Sequence, residues 1–116
     1  MRRVGILLSG RGSNMRALVE ASRRSDAPYA VALVASDKPD APGLTWAASQ
    51  GVATFALSPK GIGKQAYEVA LDNALRGAGV EVVALAGYMR LMSDEFVARW
   101  RGRMLNIHPS LLPKYK

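Results

Sequence analysis

At 116 residues the chain suits one domain with a sizeable core, and its 49% apolar and 22% charged residues are those of a folded globular protein. No apolar run approaches the ~20 residues of a bilayer span; with no cysteine and a single histidine, His108, the chain excludes disulfides, thiolate nucleophiles and a histidine-built metal site. The net charge of +7 favours anionic partners, yet no basic run exceeds Arg2-Arg3 or Arg23-Arg24, a spread that fits solvated helix faces better than a nucleic-acid surface.

The first apolar run, residues 4–8, resembles a signal peptide only superficially. It is short, lacks a cleavage site and breaks at once into a glycine-rich turn, so it reads as a buried strand. That turn, Ser9-Gly10-Arg11-Gly12-Ser13-Asn14, leads into a helix whose apolar stripe carries Met15, Leu18 and Val19. Glycine lets a backbone approach an anion closely, and a helix start presents unpaired N–H donors. Two readings stand: a phosphate seated on Gly12, Ser13 and Asn14, or Ser13 or Asn14 simply capping the helix. Neither the dinucleotide fingerprint nor a Walker A motif is present.

Residues 30–35 read as a second strand, and 43–50 as an alanine-rich helix closed by Gly51. Residues 52–57 form a third strand, and a helix marked by Tyr67, Leu71 and Leu75 ends at Gly77. A fourth strand covers 80–86. The segment Gly87-Tyr88-Met89-Arg90-Leu91-Met92 follows it, with methionines able to mould around a flat ring, or simply a loop packing on the next helix. Ser93-Asp94-Glu95 caps that helix, and residues 104–107 form the last strand. All five strands are expected to be buried on both faces. The alternation predicts an α/β, doubly wound parallel sheet in a single domain over residues 1–116.

In such a sheet, ligands bind beyond the carboxyl ends of the strands, near the point where strand order reverses. Residues 9–14, 87–92 and 106–113 fall on that rim. In extended chain Asn106 and His108 face the same side, and an amide beside an imidazole suits acyl transfer. The plain alternative is a loop histidine held by a backbone carbonyl. Ser110, preceded by proline and without nucleophile-elbow glycines, is a turn residue.

Four stretches together, L-L-S-G-R-G-S-N, S-D-K-P-D-A-P-G-L, L-A-G-Y-M-R-L-M and M-L-N-I-H-P-S-L-L-P-K-Y, resemble the phosphoribosylglycinamide formyltransferases along nearly the whole chain. The resemblance implies a Rossmann-like formyltransferase fold and formyl transfer from 10-formyltetrahydrofolate to glycinamide ribonucleotide in purine synthesis. No metal is implied, and a cytoplasmic setting is. By the same resemblance, Gly12, Ser13 and Asn14 hold the substrate phosphate. Met89, Arg90, Leu91 and Met92 line the folate pocket, with Lys64 where many members carry arginine. Asn106 orients the formyl group, and His108 is the general acid.

The family also places an aspartate beyond the N-I-H segment, and no residue here matches it. Lys116 stands where proline is usual. The expectation is therefore a fold truncated after about the fifth strand, with little activity alone and self-association through an uncovered sheet edge. Nucleic-acid and membrane partners are not expected. Two other functions compete: another folate-dependent formyl transferase or hydrolase, which the S-G-R-G-S-N turn argues against, and a basic non-catalytic module binding nucleic acid or phosphorylated metabolites.

Overall fold

The computed structural model describes residues 1–107. Strands and helices alternate as β1 (Arg2–Leu8), α1 (Ser13–Ser22), β2 (Tyr29–Ser36), α2 (Pro42–Ser49), β3 (Thr54–Ala56), α3 (Lys64–Gly77), β4 (Val82–Leu85), α4 (Asp94–Arg99) and β5 (Met104–Asn106). The strands pair in parallel in the order β3-β2-β1-β4-β5. The chain works outward from β1 to β3, then crosses back to lay β4 on the other side of β1. Strand order therefore reverses between β1 and β4.

Two-residue periodicity divides the core between the sheet's faces. Ile6, Leu8, Val34 and Ala84 pack with Met15 and Val19 of α1 and Leu44 and Ala47 of α2. Leu7, Leu33, Ala35 and Val83 point the other way, against Tyr67, Leu71 and Leu75 of α3 and Phe96 and Trp100 of α4. Helices on both faces make the sheet doubly wound, as the alternation of apolar runs predicts. Among the described residues, no helix is long and apolar enough to cross a membrane.

The helix ends are set by local chemistry. Gly51 takes φ 80°, and the Gly51 and Val52 amides donate to the Ala48 and Ala47 carbonyls, closing α2 in a Schellman turn. The end of α3 falls at Gly77, but the left-handed residue that closes it is Gly79, with φ 74°. The Gly79 and Val80 amides donate there to Arg76 and Leu75. Ser93 caps α4, its Oγ accepting the Phe96 N–H at 3.1 Å.

Burial on both faces fails for β3 and β5. Thr54 and Ala56 are exposed, as are Leu105 and Asn106. Among the described residues these are edge strands with one neighbour each. The sequence run 52–57 is apolar because Val52 and Leu57, just outside β3, pack onto the two separate core clusters.

Candidate active site at the strand-order reversal

Because the strands are parallel, the segments after β1, β2 and β4 emerge on one rim. After β1 the chain turns through Gly10, Arg11 and Gly12 into α1. Gly12 sits at the N-cap with φ 79°, and no side chain caps the helix. A Cβ there would lie 2.9 Å from the Met15 methyl. Ser13 and Asn14 lie inside the first turn of the helix, so neither is its cap. The first amides of α1 are thus left for an outside acceptor, at the positive end of the helix. Gly43 lets α2 start close against this turn, since a Cβ there would stand 3.0 Å from the Arg11 carbonyl oxygen. Arg16, exposed on α1, stacks over Trp46 at 5.1 Å.

The segment after β4 is laced to this turn. The Ser9 amide donates to the Gly87 carbonyl at 3.1 Å, and the Met89 amide donates to Ser9 Oγ at 3.0 Å. Ser9 Oγ in turn donates to Asp37 Oδ1 at 2.7 Å, and both side chains are buried, each residue 4% exposed. The other Asp37 oxygen lies 3.8 Å from the Arg90 guanidinium, which stands 6.0 Å from the Tyr67 ring centre. The Tyr67 and Tyr88 hydroxyls meet at 2.8 Å. Burial raises both phenols above their ordinary value, so at neutral pH this contact joins two uncharged groups.

Of the four residues expected to line a folate pocket, Met89 and Leu91 are 80% and 87% exposed. Arg90 is held by Asp37. Met92 is partly buried and packs against the core on the α3–α4 side. Two large apolar side chains displayed side by side on a glycine-turned loop form a surface that a flat apolar ligand could cover.

Asn106 ends β5 exposed, in register with Leu85, and the Ile107 amide donates to the Leu85 carbonyl at 2.9 Å. That register puts Asn106 at the carboxyl end of β5, beside the end of β4 from which the 87–92 loop leaves. His108, like Ser110, lies outside the described residues. Lys64 is the exposed first residue of α3, one turn ahead of Tyr67. Among the described residues no group of three histidine, cysteine or acidic side chains could hold a metal.

Sequence reasoning missed Ser9, Asp37 and Tyr67. Asp37 was readable in part: a carboxylate directly after a strand buried to its end lies on the same rim as the other two segments. Two grooves lie away from this rim. One runs along the outer face of α3 past Ile62 and Val69, and another at the opposite end of the sheet near Arg3 and Gly51. Neither gathers polar groups at a strand-order reversal.

A family model described as formyl transferase matches residues 2–116. The chain is 42% identical over 111 residues to the phosphoribosylglycinamide formyltransferase of Escherichia coli K12, covering 95% of this chain and 52% of that enzyme. It is 46% identical to part of the trifunctional purine biosynthetic protein adenosine-3 of Drosophila pseudoobscura, covering 98% of this chain and 9% of that protein. The crystal structure of phosphoribosylglycinamide formyltransferase from Brucella melitensis superposes with a TM-score of 0.89 at 45% identity, over 98% of this chain and 60% of that one. The chain thus spans about half the length of the single-function relatives and a small part of the trifunctional one.

Proposed function

This chain belongs to the formyl transferase family, and we propose that it serves formyl transfer from 10-formyltetrahydrofolate to the amine of glycinamide ribonucleotide. The observation that carries the proposal is the uncapped, glycine-opened start of α1, hydrogen-bonded through Ser9 to a loop displaying Met89 and Leu91. It supplies an anion seat and an apolar wall side by side, as a phosphorylated amine and a flat folate ring need.

In this reading the backbone amides of Ser13 and Asn14, together with the Asn14 side-chain amide, receive the phosphate, and Gly12 keeps the backbone clear for it. Met89 and Leu91 cover the pterin, with Arg90 and Met92 shaping the loop beneath and Lys64 reaching the folate from α3. The substrate amine attacks the formyl carbon, and the carbonyl electrons move onto oxygen, where the Asn106 amide donates. Collapse of that oxyanion breaks the bond to the folate nitrogen. That nitrogen leaves with a proton supplied by His108, and the new amide loses the amine's proton.

Calorimetric titration with glycinamide ribonucleotide in phosphate-free buffer tests the reading. Binding should be competed away by inorganic phosphate and weakened about tenfold or more in Asn14→Ala, since charge-assisted hydrogen bonds are worth about 1.5–3 kcal/mol. Binding indifferent to both would overturn it. The same reading carries self-association at the β5 edge, where Leu105 is 57% exposed and no strand pairs on the outer side among the described residues. Sedimentation velocity over a concentration series checks this, and a monomer throughout would refute it.

A further inference from the structure

Ser9 stands three residues before the N-cap of α1, yet its hydrogen bonds run to the loop after β4 and to Asp37 rather than along its own turn. Its amide holds the Gly87 carbonyl and its hydroxyl oxygen receives the Met89 amide, so one residue grips that loop at two points. A serine hydroxyl has one proton to give. Here the proton goes to Asp37 at 2.7 Å, which turns the oxygen's lone pairs toward Met89. Asp37 is carried by a third strand end, that of β2, and its second oxygen faces Arg90. The buried pair thus joins the ends of β1, β2 and β4, and no buried side-chain polar atom among the described residues is left without a partner. Cutting the Ser9–Asp37 link leaves a buried carboxylate oxygen without its donor, which couples the ends of β1, β2 and β4 through one contact.

We propose that Ser9 and Asp37 are positioning residues that transmit occupancy of the phosphate turn to the 87–92 loop. An anion drawn onto the first amides of α1 shifts the turn that begins at Ser9. Through the Ser9 hydroxyl, that shift reaches Met89 and Arg90, the loop proposed to meet the folate. The inference rests on the phosphate reading of the turn given above. It adds that the two substrates bind with positive coupling, and that the coupling runs through a hydroxyl and a carboxylate that touch neither substrate.

The test is an amide NMR titration of the full chain with inorganic phosphate. In the native chain, Ser13 and Asn14 should shift, with Met89 and Arg90 following at the same midpoint. In Ser9→Ala, Ser13 and Asn14 should still respond while Met89 falls silent. Asp37→Asn keeps an oxygen for the serine proton but loses the charge facing Arg90. It should at least halve the Met89 response, and it carries the test alone if Ser9→Ala does not fold. A second titration, with 5-formyltetrahydrofolate, should show phosphate strengthening its binding about fivefold or more in the native chain, the lower end of ordinary coupling between sites. That gain should vanish in Ser9→Ala, a readout that lost stability alone would not produce.

A native chain in which Ser13 and Asn14 respond but Met89 does not would overturn the inference and leave the phosphate turn standing. Undiminished Met89 shifts in both variants would overturn it as well, since the signal would then be direct proximity to the ion. Silence at Ser13 and Asn14 would remove the phosphate turn itself, and the inference with it.

Discussion

A methyl group added at Gly12 would lie 2.9 Å from the Met15 methyl on a backbone with φ +79°, whereas one added at Gly10 would meet nothing within 4 Å among the described residues. The two glycines look alike in the sequence but answer to different demands. Gly12 is needed by the fold: an L-residue in that left-handed conformation costs about 1–2 kcal/mol, and Met15 would have to move as well. Among the described residues no packing contact demands Gly10, which leaves that side of the turn to a ligand. Gly12→Ala should therefore lower the urea midpoint, while Gly10→Ala should leave stability within about 0.5 kcal/mol yet weaken phosphate binding. Equal binding by Gly10→Ala and the native chain would show that the ligand does not use that space. The sequence shows both glycines and the helix start, so the anion seat is legible there. Which side chain caps the helix is not, because both Ser13 and Asn14 are good capping residues and only the backbone path shows that neither does so.

Element boundaries follow from chemistry that the sequence carries openly. Ser93 at the start of α4 is an example, and it does more than cap. While its oxygen accepts the Phe96 amide, its proton goes to Glu68 Oε1 at 2.5 Å, and its own amide donates to Glu68 Oε2 at 2.9 Å. Glu68 is a nearly buried carboxylate on α3, so the cap of one helix also satisfies a charge on its neighbour. Ser93→Ala should cost about 2–3 kcal/mol, an ordinary cap plus one donor withdrawn from a buried carboxylate. A loss under about 1 kcal/mol, the size of a cap alone, would mean that water replaces the donor at Glu68. Strand periodicity and caps such as this one make the alternation of elements and their doubly wound layering legible. The edge character of β3 and β5 is not legible, because burial of a strand depends on neighbours far away in the chain. The same reason hides the Ser9–Asp37–Met89 cluster: its members are 28 and 80 residues from Ser9, and no local pattern links them.

At the scale of the whole molecule, one buried and two half-buried phenols among the described residues set how the fold responds to alkali. Burial raises Tyr29, Tyr67 and Tyr88 above the ordinary tyrosine value of 10.0, and for Tyr88 the Tyr67 hydroxyl adds to the rise. Below pH 10 folded and unfolded chains both keep these protons, so the groups contribute their full stability. Above it the unfolded chain releases them while the folded chain holds on, so the unfolded state is favoured increasingly as pH rises toward the folded values. Each tyrosine then removes up to about 1.4 kcal/mol per pH unit. The sites at stake are the joints of the molecule: Tyr29 donates to the Leu18 carbonyl of α1 at 2.6 Å, and the Tyr67–Tyr88 pair ties α3 to the loop after β4. Urea midpoints should hold steady up to about pH 9.5 and fall steeply by pH 11, since the free phenol titrates near 10. Tyr88→Phe should make that fall shallower, while costing about 0.5–1.5 kcal/mol at pH 8 for the hydrogen bond lost to Tyr67. A native chain and a Tyr88→Phe variant that lose stability in parallel would show that Tyr88 ionises as readily folded as unfolded. In that case the loop carrying Met89 and Arg90 opens to water before the rest of the fold does.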